Sequence, residues 1–388
     1  MKKISKRAWM AMALAMTLLA GLLIFVGSYF VNAKTWVTFP GSPHVYTGVN
    51  PDCGRIYDRS GMLLLNTDDG RVYNADETIR RSTMHLLGDR DGYISAPLLK
   101  TYASKMFGFD VVNGLYTSEP GSVAARLTIS AAVQSAAQQA LAGYRGTIGV
   151  YNYKTGELLC AVTSPSYDPD NVPDVANDTT GSYEGVYLNR FFDASYTPGS
   201  IFKLVTAAAA LETGTLSASD VFPGAISNNT WTPQRSDWYY PGIVRHSSYS
   251  GPVNMTNALM YSDNIYFAYA AMQLGAEKYV DEMTKFGFFD KVPFELNVYN
   301  TQISSSDDRT KVENIKFLAD LGYGQGEMLS TPMQMAVIYS ALANNGTIMQ
   351  PYVVAHIDRT QNGENVRVST TEPTVWKENV FSTAAIST

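Results

Sequence analysis

Between Ala8 and Ala33 the chain carries no charged residue. As a helix rising about 1.5 Å per residue, this run would be about 39 Å long. That exceeds the hydrocarbon core of a bilayer, about 30 Å thick. Its Ala, Leu and Met content favours helix, so the run constrains everything after it. Lys2, Lys3, Lys6 and Arg7 precede it. By the positive-inside bias, residues 1–7 form a cytoplasmic tail and the remainder lies outside. Val31-Asn32-Ala33 loosely fits a small-residue cleavage site. The apolar run is nevertheless longer than a signal h-region of about 7–15 residues. The expectation is an uncleaved single-pass anchor over 8–33.

The other 355 or so positions have room for one large domain and a smaller one. Hydrophobic residues make up 45% and charged residues 16%, a globular balance. Net charge is −6 and the basic residues concentrate at the N-terminus, which leaves no basic face for nucleic acid. Cys53 and Cys160 form no metal-ligand spacing, and their separation neither requires nor excludes a disulfide; two free thiols are expected. His85 has no second ligand at suitable spacing and reads as a packing or surface residue. No metal or cofactor is implied.

The stretch Thr197-Pro198-Gly199-Ser200-Ile201-Phe202-Lys203 opens an Ala/Leu/Val run that continues to Glu212, near Gly214. Pro198 and Gly199 are turn residues and the run behind them is a strong helix former, so Ser200 stands at a helix start. There, unpaired N–H groups and the dipole favour developing negative charge. Lys203, three residues on, returns to the same face. Leu204, Val205, Ala208 and Leu211 suggest a buried helix, in which an amine is desolvated and its pKa falls. A neutral amine beside a hydroxyl can take its proton and make a serine nucleophilic without histidine. Taken alone, Ser-x-x-Lys is a common pattern and more often a serine cap followed by a surface lysine.

A second motif decides between these readings. Ser262-Asp263-Asn264 follows Ser200 by sixty-two residues, between the helix-like Met255–Met260 and the apolar run Ile265–Leu274. S-x-x-K followed by S-D-N is the signature order of penicillin-binding proteins and serine β-lactamases. From here the sequence resembles a class B penicillin-binding protein, a membrane-anchored peptidoglycan D,D-transpeptidase, and most resembles the short forms with a small N-terminal module. Gly54-Arg55-Ile56-Tyr57-Asp58-Arg59-Ser60-Gly61 reads as strand, turn, strand and is similar to the hairpin that follows the anchor in that family. His85–Asp89 and Gly108–Gly121 read as further turn-rich module structure. The module is too short for the glycosyltransferase domain of a class A protein.

At Arg126–Ser130 the chain enters the larger domain. Ser130 caps a predicted helix with Val133, Ala136, Ala137, Ala140 and Leu141 on its apolar face, ended by Gly143. Thr147–Tyr153 and Glu157–Thr163 read as strands around Lys154-Thr155-Gly156. This Lys-Thr-Gly precedes the nucleophile and reads as a hairpin turn, not as the family's third motif. Trp231, Trp238, Tyr239 and Tyr240 either line a substrate groove or pack a loop onto the core. Gly322-Tyr323-Gly324-Gln325-Gly326 leads into Ser330-Thr331-Pro332, a cap followed by proline at the first helical position. This pattern, continued to Asn344-Asn345-Gly346, is again similar to the family, and the resemblance runs from about Gly54 to Tyr352.

The resemblance implies an α/β (α+β) fold: an antiparallel transpeptidase sheet with helices over 126–388, after a module over 34–125. It implies that Ser200 attacks the penultimate D-alanine of a peptidoglycan stem peptide, with Lys203 as base. Ser262 would relay a proton to the leaving amine, and Asn264 would bind the substrate amide and orient Lys203. Implied partners are stem peptides and lipid-linked precursor, β-lactams, and a membrane glycosyltransferase. The implied location is the bacterial cell membrane with the catalytic domain outside. After Asn264, however, no Lys is followed by Ser/Thr and Gly, and Phe381–Thr388 reads as the helix that precedes the strand bearing that motif. The sequence is therefore expected to stop short of that strand, which in the family supplies an oxyanion N–H. A β-lactam sensor or β-lactamase relative and a non-catalytic scaffold are the competing readings. No E-x-x-L-N deacylation motif supports the β-lactamase, and the absent K-[ST]-G favours the scaffold. As written, the chain is expected to be catalytically impaired and poorly stable; soluble, penicillin-reactive residues 34–388 would contradict this.

Overall fold

Lys2–Val37 form one 36-residue helix. Its Ser5–Val37 portion is long and apolar enough to cross a bilayer, and none of its apolar window is buried by the described residues. The computed structural model describes residues 2–39, 42, 46–47, 50–51, 53–68, 70–110, 114–116, 121–361 and 363–388. The chain divides into two compact units. The first comprises 1–127, 168–172 and 354–370, and the second comprises 128–167, 173–353 and 371–388.

The first unit is built on a six-stranded sheet in the order Glu364–Thr370, Val354–Gln361, Val123–Leu127, Arg55–Tyr57, Leu63–Asn66, Val72–Tyr73. All neighbours are antiparallel except Arg55–Tyr57 with Val123–Leu127. Val123, Ala125 and Leu127 are buried while Ala124 and Arg126 between them are half-buried, the period-2 pattern of a sheet with one covered face. The expected hairpin after the anchor is present. Its turn is held by Asp58, whose Oδ1 accepts from the Ser60 and Met62 N–H groups at 2.8 and 2.9 Å. Where the sequence suggests frequent turns around His85–Asp89, His85, Leu86 and Leu87 instead form the buried last turn of helix Glu77–Leu87, and the chain leaves the helix only at Gly88. Gly108–Gly121 falls partly outside the described residues.

One difference from the sequence division is topological. Residues 354–370, placed within the larger domain by the boundary at 126, return to the first unit's sheet. Arg359 fixes them there: its guanidinium donates to the carbonyls of Lys105, Met106 and Phe107 at 3.0, 3.2 and 2.8 Å. These are the last two carbonyls of helix Pro97–Met106 and that of its C-cap Phe107, a helix end where a cation is favoured.

In the second unit, Ser130 caps Ala131–Ala140 as expected, but the buried face differs. Val133 is exposed and Gln134 is buried, its Oε1 accepting from the Ala161 N–H at 2.7 Å. A glutamine turned inward satisfies a strand donor that an apolar residue would leave unpaired. Gly146–Tyr151 and Leu158–Ser164 form an antiparallel hairpin. Lys154-Thr155-Gly156 is its turn: Gly156 has φ +86, and a Cβ there would lie 2.1 Å from the Gln350 carbonyl.

Three buried helices carry the centre of this unit. Lys203–Glu212 buries Lys203 and every position from Val205 to Ala210. Asn264–Leu274 is buried on nearly all faces and packs beside it, and Ile315–Gly322 packs on Asn264–Leu274. Thr206 ties two neighbours to the first helix. Its hydroxyl donates to the Gly322 carbonyl at 2.7 Å, so the Tyr279 hydroxyl, 2.5 Å away, must donate to it. Pro332–Ala343 begins as expected, with Thr331 Oγ1 accepting from the Gln334 N–H at 3.0 Å. Thr206→Val keeps the shape but takes the donor from the buried Gly322 carbonyl and leaves the Tyr279 hydroxyl only the longer contact to the Leu321 carbonyl at 3.5 Å, a cost of about 1–3 kcal/mol. Thermal unfolding in mild detergent should register a lowered midpoint; an unchanged midpoint would contradict this role.

Candidate active site

Ser200 does not open the α-helix directly. It lies in a 3₁₀ turn, Gly199–Phe202, and the α-helix starts at Lys203. In a 3₁₀ turn residues i and i+3 eclipse, so Ser200 and Lys203 face each other more closely than in an α-helix. The hydroxyl and the amine are 3.1 Å apart. Phe202 anchors the turn: it is buried and packs edge-on against Phe288, at 5.3 Å between centroids. Ser200 itself stays exposed.

The turn is also pinned from the glycine-rich loop. Tyr196 and Ser330 exchange two backbone hydrogen bonds of 2.9 Å, and the Gly199 N–H donates to the Gly324 carbonyl at 2.8 Å. Gly324 has φ +74, and a Cβ on it would stand 2.0 Å from the Gly199 carbonyl. Only glycine permits this approach.

Lys203 is 2% exposed. Four oxygens surround its Nζ: Ser200 Oγ at 3.1 Å, Ser262 O at 2.7 Å, Ser262 Oγ at 2.8 Å and Asn264 Oδ1 at 2.7 Å. Two of them, the Ser262 carbonyl and Asn264 Oδ1, can only accept. A neutral amine donates to both and keeps one lone pair, which can accept from either the Ser200 or the Ser262 hydroxyl. Burial lowers the Lys203 pKa to about 8, against the opposing pull of the Asp263 carboxylate. The arrangement can therefore move a proton off Ser200 or Ser262 near neutral pH.

Ser262 and Asn264 reach Lys203 through a strained turn. Ser262 has φ +52, a left-handed conformation that costs a non-glycine residue on the order of 1–3 kcal/mol. Asp263 then caps helix Asn264–Leu274, its Oδ1 accepting from the Ile265 and Tyr266 N–H groups at 2.8 and 3.1 Å. Asn264 Nδ2 donates to the Val244 carbonyl at 3.1 Å, which fixes its oxygen toward Lys203.

All four residues singled out from the sequence thus converge. Ser200, Ser262 and Asn264 also line a cavity of about 760 Å³, with His246, Ser247, Ser248, Tyr261, Tyr323 and Gln325. The last group was not recognised in the sequence. The glycines flanking Tyr323 and Gln325 were a usable signal, since they expose the residues between them; nothing marked His246 to Ser248. Of the two readings of the aromatic stretch, packing holds for Trp231, which stands edge-on to Phe222 and Tyr269. Trp238 is buried beside Tyr240, and none of the four aromatics lines this cavity. Lys154-Thr155-Gly156 does not line it either.

Gly324→Ala should push the Gly199–Ser200 turn out of place, at a cost of at least about 2 kcal/mol. A lowered unfolding midpoint in mild detergent would register it; an unchanged midpoint would contradict the close approach.

Residues 146–388 match the family model described as penicillin binding protein transpeptidase domain. Penicillin-binding protein 3 of Bacillus subtilis is 32% identical over 250 residues, 63% of this chain and 36% of that protein. The peptidoglycan D,D-transpeptidase MrdA of Acinetobacter baumannii is 28% identical over 250 residues, 61% of this chain and 35% of that protein. The chain thus spans about a third of the length of these curated relatives. A crystal structure of the D,D-transpeptidase domain of a peptidoglycan glycosyltransferase from Eggerthella lenta superposes with a TM-score of 0.67. It is 25% identical, and the match covers 86% of this chain and 78% of that one. The chain belongs to the penicillin-binding protein transpeptidase domain family.

Proposed function

We propose that the second unit is a serine acyl-transfer centre, a penicillin-binding peptidoglycan D,D-transpeptidase with Ser200 as nucleophile and Lys203 as its base. The observation that carries this reading is the buried Lys203 amine, 3.1 Å from the Ser200 hydroxyl and held by two acceptor-only oxygens. Lys203 takes the Ser200 proton as Oγ bonds to the carbonyl carbon of the penultimate D-alanine. The Ser200 N–H, at the start of the turn, is a donor to the resulting oxyanion. The proton then passes from Lys203 through the Ser262 hydroxyl, 2.8 Å away, to the nitrogen of the departing D-alanine. A second amine, from a neighbouring strand, then bonds to the ester carbonyl carbon; its proton passes through Lys203 to Ser200 Oγ as the acyl C–O bond breaks, which restores the serine and leaves a new amide cross-link. Asn264 Oδ1 holds the base in place, and β-lactams would stop at the ester.

The names of the relatives and the apolar Ser5–Val37 helix support a membrane-anchored cell wall enzyme. The topology we propose has residues 1–7 in the cytoplasm, the apolar helix across the membrane and the rest of the chain outside. Stem peptides are the substrates, and a membrane glycosyltransferase working on lipid-linked precursor is the partner the resemblance implies. Residues 1–388 contain no Lys-Ser/Thr-Gly after Asn264, so the second oxyanion donor assigned to that motif does not come from them. Loss of one such donor costs about 10²–10³ in rate. Slow acylation by these residues alone is part of the proposal.

The test is long incubation of the full chain, in mild detergent, with a fluorescent penicillin, followed by peptide mass spectrometry. A stable adduct on Ser200, absent from Ser200→Ala and Lys203→Ala, is expected. No adduct on the wild type would favour a non-catalytic scaffold, and rapid turnover of the label a β-lactamase. With an adduct, the acylation rate should rise with pH through about 8 and then level off, since the amine is the base only when neutral. A rate independent of pH between 6 and 9 would exclude Lys203 as that base.

A further inference from the structure

Behind the Ser262-Asp263-Asn264 loop lies a charge pair that the mechanism above does not use. Arg245 Nη1 stands 3.2 Å from Asp263 Oδ2, and the side chains are only 7% and 2% exposed. Arg245 follows the short strand Ile243–Val244, whose Val244 carbonyl fixes Asn264, and its own N–H donates to the Asn229 carbonyl at 3.0 Å. One backbone segment therefore grips the loop at two successive residues, Asp263 by charge and Asn264 by hydrogen bond. The other Asp263 oxygen is engaged by the helix cap.

We propose that Arg245 is a positioning residue of the acylation site: it holds the Asp263 carboxylate in the cap and away from Lys203, leaving the amine free to take the Ser200 proton. The inference rests on the reading of Lys203 as base. Without Arg245, a buried carboxylate has lost its cation, and breaking such a pair leaves an uncompensated charge. The cation left beside it is Lys203, which already feels the Asp263 charge. Pairing with Asp263 would favour the ammonium form and silence the base.

Among the described residues, the titratable groups around the site and along the Lys203–Glu212 helix are otherwise engaged or face the cavity. His246 lines the open cavity, and Tyr323 is hydrogen-bonded to Asp320. At the far end of the Lys203–Glu212 helix, Glu212 and Glu282 are both paired with Lys285.

The experiment compares labelling by fluorescent penicillin between pH 6 and 10 for the full chain and three variants, Arg245→Gln, Arg245→Lys and Arg245→Gln/Asp263→Asn. In the double variant asparagine still caps the helix, so fold and charge are separated. Arg245→Gln is expected to move the rise in rate up by about one pH unit and to slow labelling at pH 7 about 10-fold. Arg245→Lys should keep most of the wild-type profile, and the double variant should bring the rise back to its original pH. A rate lowered equally at every pH, or a double variant that does not restore the rise, would overturn the positioning role while leaving Lys203 as base. A wild type that labels at no pH would overturn the functional reading, and the positioning role with it.

Discussion

A lysine amine closed off from water among four oxygens is the constraint on which the second unit depends. Lowering its pKa from the ordinary 10.5 to about 8 corresponds to on the order of 3 kcal/mol disfavouring the ammonium. The sign of that cost follows from linkage. It weighs fully on the folded chain below pH about 8, and it is relieved as pH rises from there toward 10.5, where the unfolded lysine also loses its proton. The surrounding helices, buried almost throughout, are what sustain it. Strain at Ser262 belongs to the same bargain, since a left-handed serine is what brings both its carbonyl and its hydroxyl to the amine.

Positioning then follows from close packing. The 3₁₀ turn aligns Ser200 with Lys203, and Gly324 fits against the Gly199 carbonyl with no room for a side chain. Phe202 fixes the turn from beneath while Ser200 stays in the cavity. A site held this way leaves little for substrate binding to reorganise, which is how preorganised donors and bases contribute to rate.

Most of the chemistry was legible because it depends on short spacings. Ser200 and Lys203 are three residues apart, Ser262 and Asn264 two apart, and local geometry turns each pair to one face. Helix ends were legible for the same reason: Ser130, Thr331 and Pro332 act on atoms within one turn. What depends on distant partners was not. Gln134 looks like a surface residue until the unpaired Ala161 N–H is known. Arg245 carries no local sign that it will meet Asp263, eighteen positions away. Residues 354–370 join a sheet whose other strands precede residue 128, a pairing fixed by tertiary register and by Arg359, which no local pattern encodes.

The central claim, that burial makes Lys203 a base near neutral pH, is open to direct titration. The full chain carrying ¹³C-lysine would be followed by NMR between pH 6 and 11, with Lys203→Arg identifying the Lys203 signal. A midpoint near 8 is the predicted result. A midpoint at the ordinary lysine value, about 10.4, would mean that the amine stays charged, and that Ser200 must lose its proton some other way.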